Sequence, residues 1–346
     1  MRQALQLTGG AEPAFVPLKA PFPWFGGKSK VAAMVWARFG DVPNYVEPFF
    51  GSGAVLLGRP HPAHIETVND KDGFVANFWR ALGADPEGVT KWADNPVNEN
   101  DLHARHYWMV QRREELRARL EGDPDFYDSK IAGWWAWGIS CWIGGEFCSG
   151  AGPWHVVEGM LVKVKGNAGK GVNRQLPHLL GAGKGVNRQR PNLRNGGEGT
   201  HRISERGTLF AYLSALSERL RHVRVCCGDW ERICGPSPTF KNALTAVFLD
   251  PPYSAEADRD MGLYAEESGT VAHDARAWCL ANGDNPKMRI ALCGYAGEGH
   301  DVLVEHGWKA VPWKTQGGYA NLGNNRGREN AKREVVWFSP HCLEVV

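Results

Sequence analysis

Asp250-Pro251-Pro252-Tyr253 follows the apolar run AVFL at residues 246–249. A carboxylate, two prolines that stiffen the backbone and an aromatic ring make a rigid corner suited to a planar, amine-bearing base. Asp250 and the Pro251 carbonyl would accept the two amine hydrogens while Tyr253 stacks on the ring. A proline turn with a helix-capping Asp accounts equally for the tetrapeptide. A second group, Glu47-Pro48-Phe49-Phe50-Gly51-Ser52-Gly53, ends a short apolar stretch, and Asn69-Asp70 ends the next one. Glycines at a strand end admit a ligand close to the backbone, and an acid closing the following strand takes ribose hydroxyls. The third glycine of a dinucleotide loop is missing, which favours a nucleoside without phosphates, such as S-adenosylmethionine, over NAD. Third, Trp24-Phe25-Gly26-Gly27-Lys28 precedes a helical pattern, so that Lys28 would reach an anionic group from a helix start; an ordinary Gly-Gly turn fits the same string.

Positioning these groups requires strands and helices in alternation. Residues 45–49, 65–69, 223–227, 246–249, 289–294 and 334–338 read as strands, and 28–39, 54–57, 73–82, 101–120 and 209–223 as helices. The run at 246–249 has the continuous apolarity of a strand buried on both faces. The expectation is an α/β fold with a Rossmann-like sheet, interrupted in the middle by Gly- and Trp-rich material. Residues 1–82 and 206–346 would form the catalytic domain and 83–205 an insertion.

The insertion carries an unusual charge block. Residues 159–197 hold eight basic side chains (Lys163, Lys165, Lys170, Arg174, Lys184, Arg188, Arg190, Arg194) and no acid, in a chain of net charge +2. The rest of the molecule is therefore acidic, and the block points either to a polyanionic partner or to a solvated loop. Within it GKGVNRQ occurs twice, at 169–175 and 183–189. Two copies are too few for a solenoid. They read as paired glycine-hinged loops presenting cations to phosphates, or as a tandem duplication without function.

Taken together and in this order, the groups resemble the Dam-type (D12 class) DNA adenine-N6 methyltransferases. The similarity rests on Trp24 to Lys28, Glu47 to Gly53, Asp70 and Asp250 to Tyr253, covering residues 21–82 and 206–255, with REVVWFSP at 333–340 more loosely similar. It implies a methyltransferase sheet with an inserted target-recognition domain and S-adenosylmethionine as cofactor. The implied cofactor contacts are Trp24, Gly26, Gly27, Lys28, Glu47, Pro48, Phe49, Gly51, Gly53, Asp70 and Asp250, with Asp229 and Trp230 nominated by the Cys-Gly-Asp-Trp segment. It further implies catalysis by Asp250, Pro251, Pro252 and Tyr253 on the N6 amine of an adenine flipped out of double-stranded DNA, without a metal. The family's Asn-Arg pair and later Asn are absent from the insertion, so its base readers do not transfer. Trp142 falls where the family places an aromatic at the DNA, and a core tryptophan fits that position too. Lys170, Arg174, Lys184, Arg188, Arg190, Arg326 and Arg328 are the candidate DNA contacts.

Other readings remain beside this one: cytosine-N4 or RNA amine methylation in the same pocket, or an inactive DNA-binding relative. No apolar run of membrane-spanning length occurs and residues 1–10 lack a secretory pattern, so a cytoplasmic protein of a bacterium or its phage is expected. The eight cysteines show no CxxC pair and read as reduced thiols. Zinc held by Cys141, Cys148 and His155 would have non-standard spacing.

Overall fold

A computed structural model describes residues 18–24, 27–62, 64–142, 147–148, 154–157, 160–163, 206–252, 270–313 and 333–345. Seven strands form one sheet: β1 (Asn44–Glu47), β2 (Ile65–Asp70), β5 (Val223–Cys227), β6 (Thr245–Leu249), β7 (Met288–Tyr295), β8 (Lys309–Pro312) and β9 (Glu334–Phe338). Their order is β5-β2-β1-β6-β7-β9-β8. The first five run parallel, and β9 runs antiparallel to both β7 and β8. From β1 the chain builds outward through β2 and β5 on one side, then through β6 and β7 on the other. The strand order therefore reverses between β1 and β6, and ligands bind at the carboxyl ends of strands at such a point.

Strands β6 and β9 are covered on both faces. All five residues of β6 are buried, as are all five of β9. Helix α1 (Ala32–Phe39) buries Ala32, Val35, Trp36 and Phe39, a single helical stripe, and stops at Gly40 (φ 61°). Helix α2 (Ala54–Leu57) follows the glycine turn, and α3 (Gly73–Ala84) follows β2. Asp72 caps α3 by accepting from the Phe74 amide at 2.8 Å.

Four helices follow: α4 (Pro86–Ala93), α5 (Glu99–Val110), α6 (Arg113–Gly122) and α7 (Ser129–Cys141). Helices α4, α6 and α7 pack on α3 and α5 packs on α7, and the buried side chains of all four join the same core as those of α1 to α3. Strands β3 (Trp154–Val157) and β4 (Met160–Lys163) pair as a separate antiparallel hairpin. Helix α8 (Arg206–Arg219) leads back into the sheet at β5; α9 (Val271–Asn282) and α10 (Val302–Glu305) lie between the later strands.

The single helix expected over 101–120 is two. Leu102 and Met109 of α5 are buried where that helix meets α7, whereas Leu116 and Leu120 of α6 are buried against α3, so the chain turns at Gln111–Arg112 between two packing partners. Neither glycine nor proline marks that turn. Helix α7, which the sequence shows only as Gly- and Trp-rich material, owes its glycines to packing: a Cβ on Gly133 would lie 2.5 Å from Trp92 Cβ of α4. Among the described residues, no helix is long and apolar enough to cross a membrane.

Candidate active site

The carboxyl ends of β1 and β6 lie side by side, with Val46 registered to Val247. Beyond β1 the chain turns through Pro48 to Gly53, with Gly51 at φ 47° and Gly53 at φ 62°. A Cβ on Gly51 would come within 2.5 Å of the Trp24 indole nitrogen, so glycine is needed there twice, for the backbone angle and for the close approach of that ring. The turn is clamped from two elements. The Gly51 amide donates to Asp70 Oδ2 at 2.8 Å, and Trp79 of α3 donates its indole N–H to the Gly51 carbonyl at 2.9 Å.

Asp70 also accepts from the Asp72 amide through Oδ1 at 2.9 Å. Burial, aided by the neighbouring Asp72 charge, raises its carboxyl to about 7, against the pull of the backbone amides. Each carboxylate oxygen has two lone pairs, so acceptor capacity remains after these bonds. The preceding Asn69 is wholly buried; its amide nitrogen donates to the Pro48 carbonyl (3.2 Å) and the Gly228 carbonyl (2.9 Å), stapling the loops after β1 and β5 to β2. Its Oδ1 has no partner.

The ring of Phe49 faces the buried Trp230, with centroids 5.7 Å apart and planes inclined by 31°. Asp229, beside it, is exposed and caps the short 3-10 helix Trp230–Ile233 by accepting from the Glu231 amide at 2.9 Å. Glu47 lies beneath the turn, 2% exposed, and accepts from the Tyr45 hydroxyl at 2.7 Å. Burial raises its carboxyl well above the usual range, and the nearby Asp250 charge adds to that rise.

On the β6 side, Asp250 Oδ1 lies 3.0 Å from the ammonium of Lys28. The lysine is 3% exposed and also lies 3.8 Å from Glu334 Oε2, at the start of β9. Its ammonium sits over the Trp313 ring, 5.9 Å from the centroid. Lys28 thus has two protein carboxylates as the anions a lysine at that place would seek. Cys293 of β7 is fully buried against the same group, and its thiol is pushed up by burial and then by Asp250. Pro251 is buried and Pro252 half-buried.

The structure thus gathers Trp24, Gly27, Lys28, Glu47, Pro48, Phe49, Gly51, Gly53, Asp70, Trp230, Asp250 and Pro251 around one switch point. Trp142 caps the end of α7, half-buried, with one indole face stacked on His106 (4.8 Å, 12°). Burial lowers the His106 imidazole to about 4, so the stack is with a neutral ring at pH 7. Gly26, Tyr253, Lys170, Arg174, Lys184, Arg188, Arg190, Arg326 and Arg328 lie outside the described residues. Glu334, the Asn69 staple and Cys293 were missed by sequence reasoning. Only Glu334 left a signal, an acid opening the otherwise apolar run VVWF.

Sheet order and the residues at the strand ends together define an α/β protein of Rossmann-like architecture, with its candidate site at the switch point. Residues 24–125 match the family model of the D12 class N6 adenine-specific DNA methyltransferases, so this stretch carries that family's signature. The matched segment contains Trp24, Lys28, the glycine turn and Asp70, and it supports methyl transfer to adenine as the activity. Asp250 lies beyond it. No curated protein matches the chain.

Proposed function

We propose that the protein transfers a methyl group from S-adenosylmethionine to the N6 amine of an adenine extruded from double-stranded DNA, and that residues 83–205 serve as its DNA-recognition insertion. The observation that carries this reading is the Asp250 carboxylate held by a buried lysine beside the glycine turn, at the point where the strand order reverses.

The residues on the β1 side suit the cofactor. Gly51 lets the Trp24 indole close on the turn, Asp70 offers a carboxylate for ribose hydroxyls, Asn69 holds an unpartnered acceptor, and Phe49 and Trp230 supply an apolar aromatic wall. When bound, the cofactor supplies an electrophilic methyl group. Every other requirement falls to the chain.

Adenine's exocyclic nitrogen is a poor nucleophile because its lone pair is delocalised into the ring. Asp250 and the Pro251 carbonyl would accept hydrogen bonds from its two N–H groups, favouring the tetrahedral nitrogen whose lone pair forms the N–C bond as the methyl–sulfur bond breaks; a neutral thioether leaves, and the methylated ammonium nitrogen sheds one proton to solvent. Those hydrogen bonds are stabilisation aimed at the transition state, from acceptors already in place. Lys28 compensates the carboxylate's charge and fixes its direction, and Glu334 fixes Lys28 in turn. Holding amine and methyl donor in one cleft contributes on the order of 7–11 kcal/mol in favourable cases. Extruding the base costs a few kcal/mol, which cationic contacts to the DNA backbone offset.

Nucleoside analysis of duplex DNA incubated with the protein and S-adenosylmethionine tests this directly. N6-methyladenine is expected with the wild type and a loss of about 10²–10³-fold or more with Asp250→Ala. Methylcytosine as the product, or near-normal turnover in the variant, would overturn the reading.

A further inference from the structure

We propose that a second face of the molecule, built by α4, α5 and α7, holds the phosphodiester backbone of duplex DNA through charge alone, without reading its bases. The choice of DNA as the polyanion rests on the proposed function; the face itself does not.

On α7, Lys130, Trp134 and Trp137 share one stripe. On α5, Arg105 and Trp108 share another, which continues to Arg112 just past the helix end. The two stripes meet, and Trp92 of α4 closes a third side. The rings of Trp92 and Trp134 stand at 89° and those of Trp108 and Trp134 at 76°, giving nearly perpendicular walls. Between them sits the Lys130 ammonium, 4.5 Å from the Trp134 centroid, 4.9 Å from Trp108 and 5.4 Å from Trp92. Arg112 lies 3.9 Å over Trp108, Arg105 lies 4.3 Å over Trp137, and Lys91 lies 5.4 Å over Trp92.

Attraction to a ring quadrupole orders a cation without cancelling its charge. Among the described residues none of these four cations forms an ion pair with an acid; Asp101, one turn before Arg105, acts on it only from beyond pairing distance. Arg105 is the innermost of the four: its Nη2 donates to Asn95 Oδ1 at 3.2 Å, while its Nη1 and the nearby Trp134 Nε1 are buried donors with no acceptor. The result is four positive charges already held in place, on three helices whose acids are Glu87, Glu99 and Asp101 alone. Such a face attracts a polyanion, and little side-chain freedom is left to lose when one binds.

The tryptophans argue for backbone over bases. Stacking on a base needs a free ring face, and here cations occupy ring faces of all three walls. Contacts to phosphates carry no sequence information, so this face would add affinity at any sequence. Helix α7 ties it to the cleft: the next residue, Trp135, packs 4.8 Å from Phe22 and 6.4 Å from Trp24, whose indole lies on Gly51.

The test is the salt dependence of binding to a short labelled duplex, read by fluorescence anisotropy. Replacing Lys91, Arg112 and Lys130 together by Gln is expected to reduce the slope of log K against log salt by about 0.9 per lost contact, up to about 2.7, equally for unrelated duplex sequences. Lys130→Arg should keep the wild-type slope. If the triple variant fails to fold, Lys91→Gln with Arg112→Gln leaves the caged lysine in place and is expected to lose up to about 1.8. An unchanged slope in a folded variant overturns the proposal, as does a slope loss seen with an RNA duplex but not with DNA. The readout needs no methyl transfer, so a failure of the proposed reaction would leave this result intact, and the converse also holds.

Discussion

The two sides of the cleft hold their carboxylates by opposite means. On the β1 side, Asp70 is held by backbone amides, Gly51 and Asp72, and burial leaves its carboxyl near 7. On the β6 side, Asp250 is held by a buried ammonium 3.0 Å away, with a third carboxylate, Glu334, behind it. On the proposed reading the first arrangement serves binding, a ligand's hydroxyls completing the solvation of the acid. The second suits catalysis, because a charge fixed by a rigid counter-charge need not reorganise while the reaction proceeds.

The comparison breaks most visibly at Lys28. Lys28→Met leaves Asp250 and Glu334 close together without their cation, and removing one partner of a buried pair costs about 3–5 kcal/mol. Urea unfolding should show that loss together with a collapse of turnover. Adding Glu334→Gln should recover part of the stability but not the turnover; full recovery of both would mean that the ammonium does not position Asp250.

On the other side the sensitive atom is a hydrogen. Gly51→Ala sets a methyl group against the Trp24 indole at a positive φ, costing about 1–2 kcal/mol for the backbone alone. Cofactor affinity should fall, by calorimetry, while Lys28 and Asp250 stay paired. Normal affinity would move the cofactor away from this turn.

The smallest effect is one of pH. Asp70 takes ribose hydroxyls best when ionised, so cofactor affinity should weaken as pH falls through about 7, by at most about tenfold per unit, and level off above it. For the unliganded protein the sign is reversed. A folded-state value above the unfolded one gives stability that is complete below the unfolded carboxyl value and is lost as pH rises through about 7. Asp70→Asn should flatten both profiles, and a persistent slope in the variant would assign the titration elsewhere.

What the sequence disclosed follows from how each side is made. A glycine turn that needs positive φ, and an acid ending a strand, leave residue types at fixed places, so Gly51, Gly53, Asp70 and Asp250 were legible. So was β6, since a strand covered on both faces is a continuous apolar run. The Lys28–Glu334 contact was not, because it joins residues 306 positions apart and depends on β9 lying beside β7. Strand β8 escaped as a short, exposed edge ending in Pro312. Helix α7 escaped because Gly133 argues against helix locally, while its closeness to α4 requires that glycine. The helical cation face was invisible for the same reason: its cations are spread over three helices and gather only once the helices pack.

The division of labour across the cleft is tested most directly by equilibrium binding of labelled S-adenosylmethionine to Asp70→Ala and Asp250→Ala side by side. The account predicts that the first loses the cofactor and the second retains it at near wild-type affinity. Retention by Asp70→Ala with loss by Asp250→Ala would contradict it.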